Sequence, residues 1–167
     1  MPFQNLKLLS YSEHGEILSY LNQRLGINKI PGILIQRGEE RLFLFQGNFT
    51  RNQIRELENT IYIERAGVYI GKIIESKSTG QRDVRLSIEG TQIFAKQISK
   101  NIIQLNSEQV KEWMSGNELP ISTPTKDKGF VAIQFKETGD FLGCAQASEE
   151  KITNFIPKNR RLKQKYI

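Results

Sequence analysis

Three times along the chain the same helix-start signal recurs: a small polar side chain followed three residues later by Glu or Gln, at Ser10/Glu13, Thr50/Gln53 and Asn106/Gln109. In each pair the first side chain satisfies a backbone amide of the opening turn and the second reaches back to satisfy another, which pins where a helix begins. The apolar stripes behind these starts are short. Ile17, Leu18, Leu21 and Leu25 stop at Gly26, Ile54 and Leu57 support a second helix, and Val110, Trp113 and Met114 stop at Gly116. Between them lie runs of β-formers: Ile33 to Gln36 and Arg41 to Gln46 as a hairpin, then Ile61 to Ile63, Gly67 to Ile74, Asp83 to Ile88, Asn101 to Leu105, and a closing pair, Gly129 to Lys136 and Phe141 to Ala147. Short capped helices interleaved with strands predict an α+β fold.

A further helix is expected over Thr91 to Ser99, with Ile93, Phe94 and Ile98 facing inward. Grouping the elements divides the chain into residues 1–98, a mixed α/β domain, and residues 99–167, a small, partly open β-barrel with one helix. Each is expected to keep its own core, the second with Trp113 and Met114 against Val131, Ile133 and Leu142. Gly143, inside a strand pattern, marks a bulge or a close backbone approach.

The residues exclude several chemistries. One histidine, His14, and one cysteine, Cys144, cannot build a zinc site or a nucleophile–base pair with an orienting partner. His14 reads as a surface residue and Cys144 as a small core residue. There is no phosphate-cradling G-x-x-x-x-G-K-[ST] or G-x-G-x-x-G loop, and the G-x-x-x-G of Gly67 and Gly71 carries no membrane meaning in so short a segment. No apolar run approaches the length of a membrane span, and the N-terminus lacks a signal-peptide stretch. The expectation is a cytoplasmic protein (nuclear or nucleolar if eukaryotic) that is not an enzyme and has no cofactor, catalytic residue, metal or membrane partner.

Charge is where the chain departs from the ordinary. Its formal charge is +6, and Lys158 to Ile167 holds five cations and no acid, so without that segment the charge falls to +1. A local basic cluster is the usual footprint of a polyanion site. Lys158, Arg160, Arg161, Lys163 and Lys165 are therefore candidate contacts to a polyanion, with Tyr166 as a stacking residue and Lys126 and Lys128, in the loop before the closing hairpin, as an extension of the surface. Phe155 also flanks the cluster, and packing against the barrel is the favoured reading for it.

Arg65 to Ile73, followed by Val84 to Ala95, resembles the end of a pre-PUA domain. Ile102 to Leu105, Trp113 to Asn117 and Gly129 to Ile133 resemble the PUA domain that follows it, and Phe141 to Ala145 is similar to that domain's L-G-x-(G/A) strand. In order and length the chain resembles the Nip-seven-type ribosome-biogenesis factors. Lys151 to Arg161 resembles instead the end of the PUA-like domain of Sun-family rRNA cytosine methyltransferases, although the chain has no methyltransferase domain. Both resemblances imply a PUA-like fold that binds RNA through basic residues at its C-terminal edge. They imply a non-catalytic factor in ribosomal RNA processing or subunit biogenesis, with ribosome-assembly proteins docking on the N-terminal domain. The alternatives are a protein-interaction adaptor with an incidental basic tail, or a stand-alone accessory domain for RNA modification.

Overall fold

The computed structural model describes residues 6–77, 80–123 and 129–163. Lys126, Lys128, Lys165 and Tyr166 lie outside them. The first sheet is an antiparallel meander of β1 (Leu6–Leu8), β2 (Ile33–Arg37), β3 (Arg41–Phe45), β4 (Val68–Glu75) and β5 (Arg82–Leu86), in chain order across the sheet. The hairpin is the expected one, with Ile33 opposite Phe45 and Arg37 opposite Arg41. Consecutive apolar residues in β2 and β3 have a simple cause, because the sheet is covered on both faces and alternate side chains enter different layers. Leu34, Leu42 and Leu44 meet helix α1 (Tyr11–Leu25) through Ile17, Leu21 and Leu25, while Ile35 and Phe43 meet helix α2 (Arg51–Thr60) through Ile54.

All three capping boxes form with both hydrogen bonds, and Gly26 ends α1 in the left-handed region at φ 79°. On α2, the fully buried Glu58 accepts from the Leu6 amide at 3.1 Å and from Arg55 at 2.6 Å. Arg55 also donates to the Leu6 carbonyl at 2.8 Å, so the first strand is tied to this helix by charge-assisted bonds.

Two expected elements differ. Ile61 to Ile63 is not a strand: α2 is capped at Ile61, and Ile61 and Tyr62 are exposed. The place beside β3 is already filled by β4, so these β-formers have no ladder to join. The helix expected from Thr91 starts earlier, as α3 (Ile88–Ile93), because the Ser87 hydroxyl accepts from the Gly90 amide at 3.0 Å and ends the strand at Leu86. That shift turns Ile93 outward while Phe94 and Ile98 stay buried. Gly90 lets α3 lie directly on β4, since a Cβ there would fall 2.1 Å from the Ile70 carbonyl oxygen. Gly71 has the same role between strands, where a Cβ would meet the Arg85 carbonyl oxygen at 2.3 Å.

The second sheet runs β6 (Ile102–Leu105), β7 (Phe130–Phe135), β8 (Phe141–Ala147) and β9 (Ile152–Thr153). β6 and β7 are parallel, joined through helix α4 (Ser107–Met114), and the other pairs are antiparallel. Trp113, wholly buried, packs with Val131 and Ile133 and with the partly buried Met114 and Leu142, as the sequence predicts.

The expectation of separate cores meets a shared one. Phe130, Ala132, Phe141 and Cys144 of the second sheet belong to the same buried cluster as Leu21 and Leu25 of α1 and Val84 and Leu86 of β5. Alternation in β7 explains it, since Val131 and Ile133 face α4 while Phe130 and Ala132 face the first block. Polar bonds follow the same seam. Arg24 donates to the Phe130 carbonyl at 2.7 Å, Asn101 to the Arg24 carbonyl at 2.6 Å, and Gln92 to the Phe141 carbonyl at 3.2 Å. At the β8 bulge one peptide group leaves the ladder. Its Leu142 carbonyl accepts from the Trp113 indole at 3.1 Å, and its Gly143 amide donates to the buried Thr91 hydroxyl at 3.0 Å.

Replacing Thr91 by Val keeps the volume but strands the Gly143 amide, an expected cost of about 1–3 kcal/mol. Because the core is shared, urea unfolding of wild type and Thr91→Val is expected as one transition followed alike by Trp113 fluorescence and circular dichroism. Two separated transitions would show that the blocks fold independently.

Candidate functional site

The C-terminal segment is held in place by side chains rather than by a strand ladder. After β9, the Asn154 amide donates to the carbonyls of Trp113 at 2.7 Å and Asn117 at 2.8 Å, and its oxygen accepts from the Ile156 amide at 2.8 Å. This turns neighbouring residues opposite ways: Ile156 enters the core beside Trp113, and Phe155 packs edge-on against Phe130, with ring centroids 6.1 Å apart at 71°. A single 3₁₀ turn, Lys158–Arg160, carries the chain onward, and the Leu162 amide donates to the Met114 carbonyl at 2.8 Å.

The predicted basic cluster separates into different roles. Lys158 and Lys163 are exposed. Arg160 turns back to an ion pair with Glu89 at the start of α3. Burial raises the Glu89 carboxyl, but the Arg160 hydrogen bond and charge outweigh it and hold the group below its ordinary value. Arg161 is structural: its Nε donates to the Ile156 carbonyl at 3.0 Å, and its guanidinium lies so close over Gly116 that a Cβ there would sit 2.3 Å from Nε.

Beside the turn opens a cleft of about 630 Å³ between the first sheet and the C-terminal segment. Its lining contains Arg65, Lys72, Arg85 and Arg160 against one carboxylate, Glu89, together with Tyr69 and Phe155. The Arg85 guanidinium lies over the Phe155 ring, 4.0 Å from its centroid. Burial pushes the Arg85 pKa down and the Tyr69 phenol up. Lys72 reaches Glu40 across the sheet at 2.6 Å. Cys144 also borders the cleft, but its thiol is buried and pushed up to about 12 by that burial.

His14 sits elsewhere, half-buried in the first turn of α1, lowered by burial and by the charge of Arg51. Among the described residues no three His, Cys, Asp or Glu side chains come together as a metal site, and no helix is long and apolar enough to cross a membrane.

Sequence reasoning singled out the tail and did not bring in the cleft wall. It puts Lys72 and Arg85 in strand segments and Arg65 only in the stretch that resembles a pre-PUA domain, with no site role for any of them. The available signal was alternation: Val84 and Leu86 point into the core, so Arg85 between them must lie on the opposite side of β5.

Residues 100–162 match the family model of the PUA domain of methyltransferase RsmF. Relatives include ribosomal RNA small subunit methyltransferase F of Shewanella sp. (strain MR-4), 24% identical over 143 residues, and that of Shewanella oneidensis, 25% identical over 143 residues. These alignments take in 86% of this chain but only 28% and 27% of the relatives. The chain thus spans little more than a quarter of the proteins it matches, and the matched family segment holds the described tail cations except Lys163.

The Cys144 thiol is expected to resist a disulfide-exchange reagent in the native protein at mildly alkaline pH and to react at once in denaturant, in a colorimetric thiol assay. Fast labelling of the folded protein would mean that the cleft opens to the depth of β8.

Proposed function

We propose that the chain is a non-catalytic RNA-binding factor acting on ribosomal RNA, with residues 99–167 holding the RNA and residues 1–98 docking ribosome-assembly proteins. The observation that carries this reading is the match to the PUA domain of an rRNA methyltransferase over the segment that contains the exposed Lys158 and the Glu89-paired Arg160. Exposed cations near folded RNA act by releasing its counterions, and aromatic or guanidinium planes then add stacking on unpaired bases. A role as an accessory domain for RNA modification fits the methyltransferase relatives.

The structure selects which cations to test. Lys158→Ala with Lys163→Ala is expected to leave stability unchanged and to make the slope of log affinity against log salt shallower by about 1.4 on single-stranded RNA, if both touch phosphate. Arg161→Ala is expected to lower thermal stability, because it removes the brace on Ile156 and Gly116. Fluorescence anisotropy across a salt series, paired with thermal melts, separates these effects. A double Lys variant with unchanged affinity and slope would make the tail incidental and favour the protein-interaction adaptor.

Glu89→Gln removes the carboxylate that holds Arg160. The same titration is expected to show tighter RNA binding and a slope steeper by about 0.7, one further phosphate contact on a single strand.

A further inference from the structure

The geometry points to the cleft between the first sheet and the C-terminal segment as a pocket for one unpaired nucleotide of an RNA strand, its base stacked on the Arg85–Phe155 platform and a flanking phosphate held by Arg65, Lys72 or Arg160. This rests on the RNA-binding reading above; Phe155 and Arg160 lie inside the segment that the family model matches, and Arg65, Lys72 and Arg85 add a wall from the N-terminal block outside it.

Arg85 is the centre of the inference. Its side chain is half-buried, lies over an aromatic ring, and forms no ion pair or hydrogen bond among the described residues. No side-chain nitrogen is buried without a partner among the described residues, so the donors of this half-buried guanidinium still reach the cleft, where an anionic or hydrogen-bonding ligand can meet them. Phe155 holds the guanidinium over its ring, and Phe130 holds Phe155 by its edge contact. A planar cation seated on a ring can stack with a nucleobase and donate toward its edge or phosphate.

The rest of the lining fits a nucleotide better than an acidic side chain. Tyr69 offers a second ring, itself set by Phe43 with centroids 5.6 Å apart. Of the four cations in the lining, Arg160 is paired with Glu89 and Lys72 with Glu40, which leaves Arg65 and Arg85 without an ion pair among the described residues. The volume is that of a small-ligand pocket, too small for a duplex but sufficient for one nucleotide. The cleft also opens beside Lys158, so a strand crossing the basic turn can lower one residue into it without a second binding surface.

The test uses the full chain and a short unstructured RNA carrying one 2-aminopurine, whose fluorescence falls when the base stacks. Wild-type protein is expected to bind with a salt-dependent affinity and to quench the probe. Arg85→Lys keeps the charge but not the plane. It is expected to retain the salt slope, lose the quenching and bind on the order of tenfold more weakly. If Arg85→Lys and Arg85→Ala, both folded by circular dichroism, quench and bind as the wild type does, the pocket is wrong while RNA binding stands. If wild-type protein fails to bind the RNA even at low salt, the RNA reading falls and the pocket with it. Adenosine monophosphate binding as tightly as the strand would make this a free-nucleotide pocket and overturn the proposal, as would equal competition by polyglutamate. A wild-type crosslink with 4-thiouridine RNA needs no variant to fold. Adducts on Tyr69 or Phe155 are expected, and adducts confined to residues outside the cleft would overturn the assignment.

Discussion

One peptide group, between Leu142 and Gly143, holds the two sheets in register. The β8 bulge sets two residues against one on β7, and this leaves a carbonyl and an amide without ladder partners in the interior. Buried backbone polar groups must be satisfied somewhere. The carbonyl takes the Trp113 indole of α4 and the amide takes the Thr91 hydroxyl of α3. A helix of the first block and a helix of the second are therefore fastened to opposite ends of the same peptide. Thr91 completes its own valence by donating to the Ile88 carbonyl at 2.8 Å, so the bond that joins the blocks also closes a turn of α3.

The position of the cleft follows from that fastening. α3 lies on β4 through Gly90 and on β8 through Thr91, so the end of β5, where Arg85 sits, has a fixed relation to the second sheet. Asn154 then fixes the C-terminal segment to the end of α4, and the alternation it imposes turns Phe155 toward Arg85. The two halves of the stacked pair come from residues 70 positions apart, each placed by a short polar side chain bonded to backbone. A mixed apolar core alone would allow sliding at this seam; directional bonds do not.

Much of the fold was legible because its signals are local. The three capping boxes, the Gly26 stop, the β2–β3 hairpin and the Trp113 stripe each depend on neighbours within a few residues. What was missed depends on residues far apart. Ser87 is a cap only because Gly90 can lie against Ile70, and nothing near residue 90 announces that contact. Phe130 and Ala132 read equally well as a private core of the second block, and only the presence of α1 against them makes the core common. In the tail, a count of cations could not sort them, because Arg161 is distinguished from Lys158 by Gly116 and the Ile156 carbonyl, both set by tertiary structure.

That sorting bears on how a basic surface works. An exposed lysine can follow a phosphate wherever the strand runs, so it contributes affinity and little geometry. An arginine with a fixed plane gives up that freedom before the ligand arrives, and its contact then depends on where the ligand atom lies. The chain holds both kinds side by side: Lys158 in solvent on the turn, Arg85 half-buried on β5, and Arg160 between them with its charge spent on Glu89. The Arg160 bond that holds Glu89 below its ordinary carboxyl pKa also keeps Arg160 occupied. An incoming phosphate must displace a carboxylate to reach that arginine, whereas it reaches Lys158 directly. On the proposed RNA reading, capture at the exposed turn would precede any contact deeper in the cleft, and selectivity would rest with the groups whose positions the two-sheet seam has already fixed.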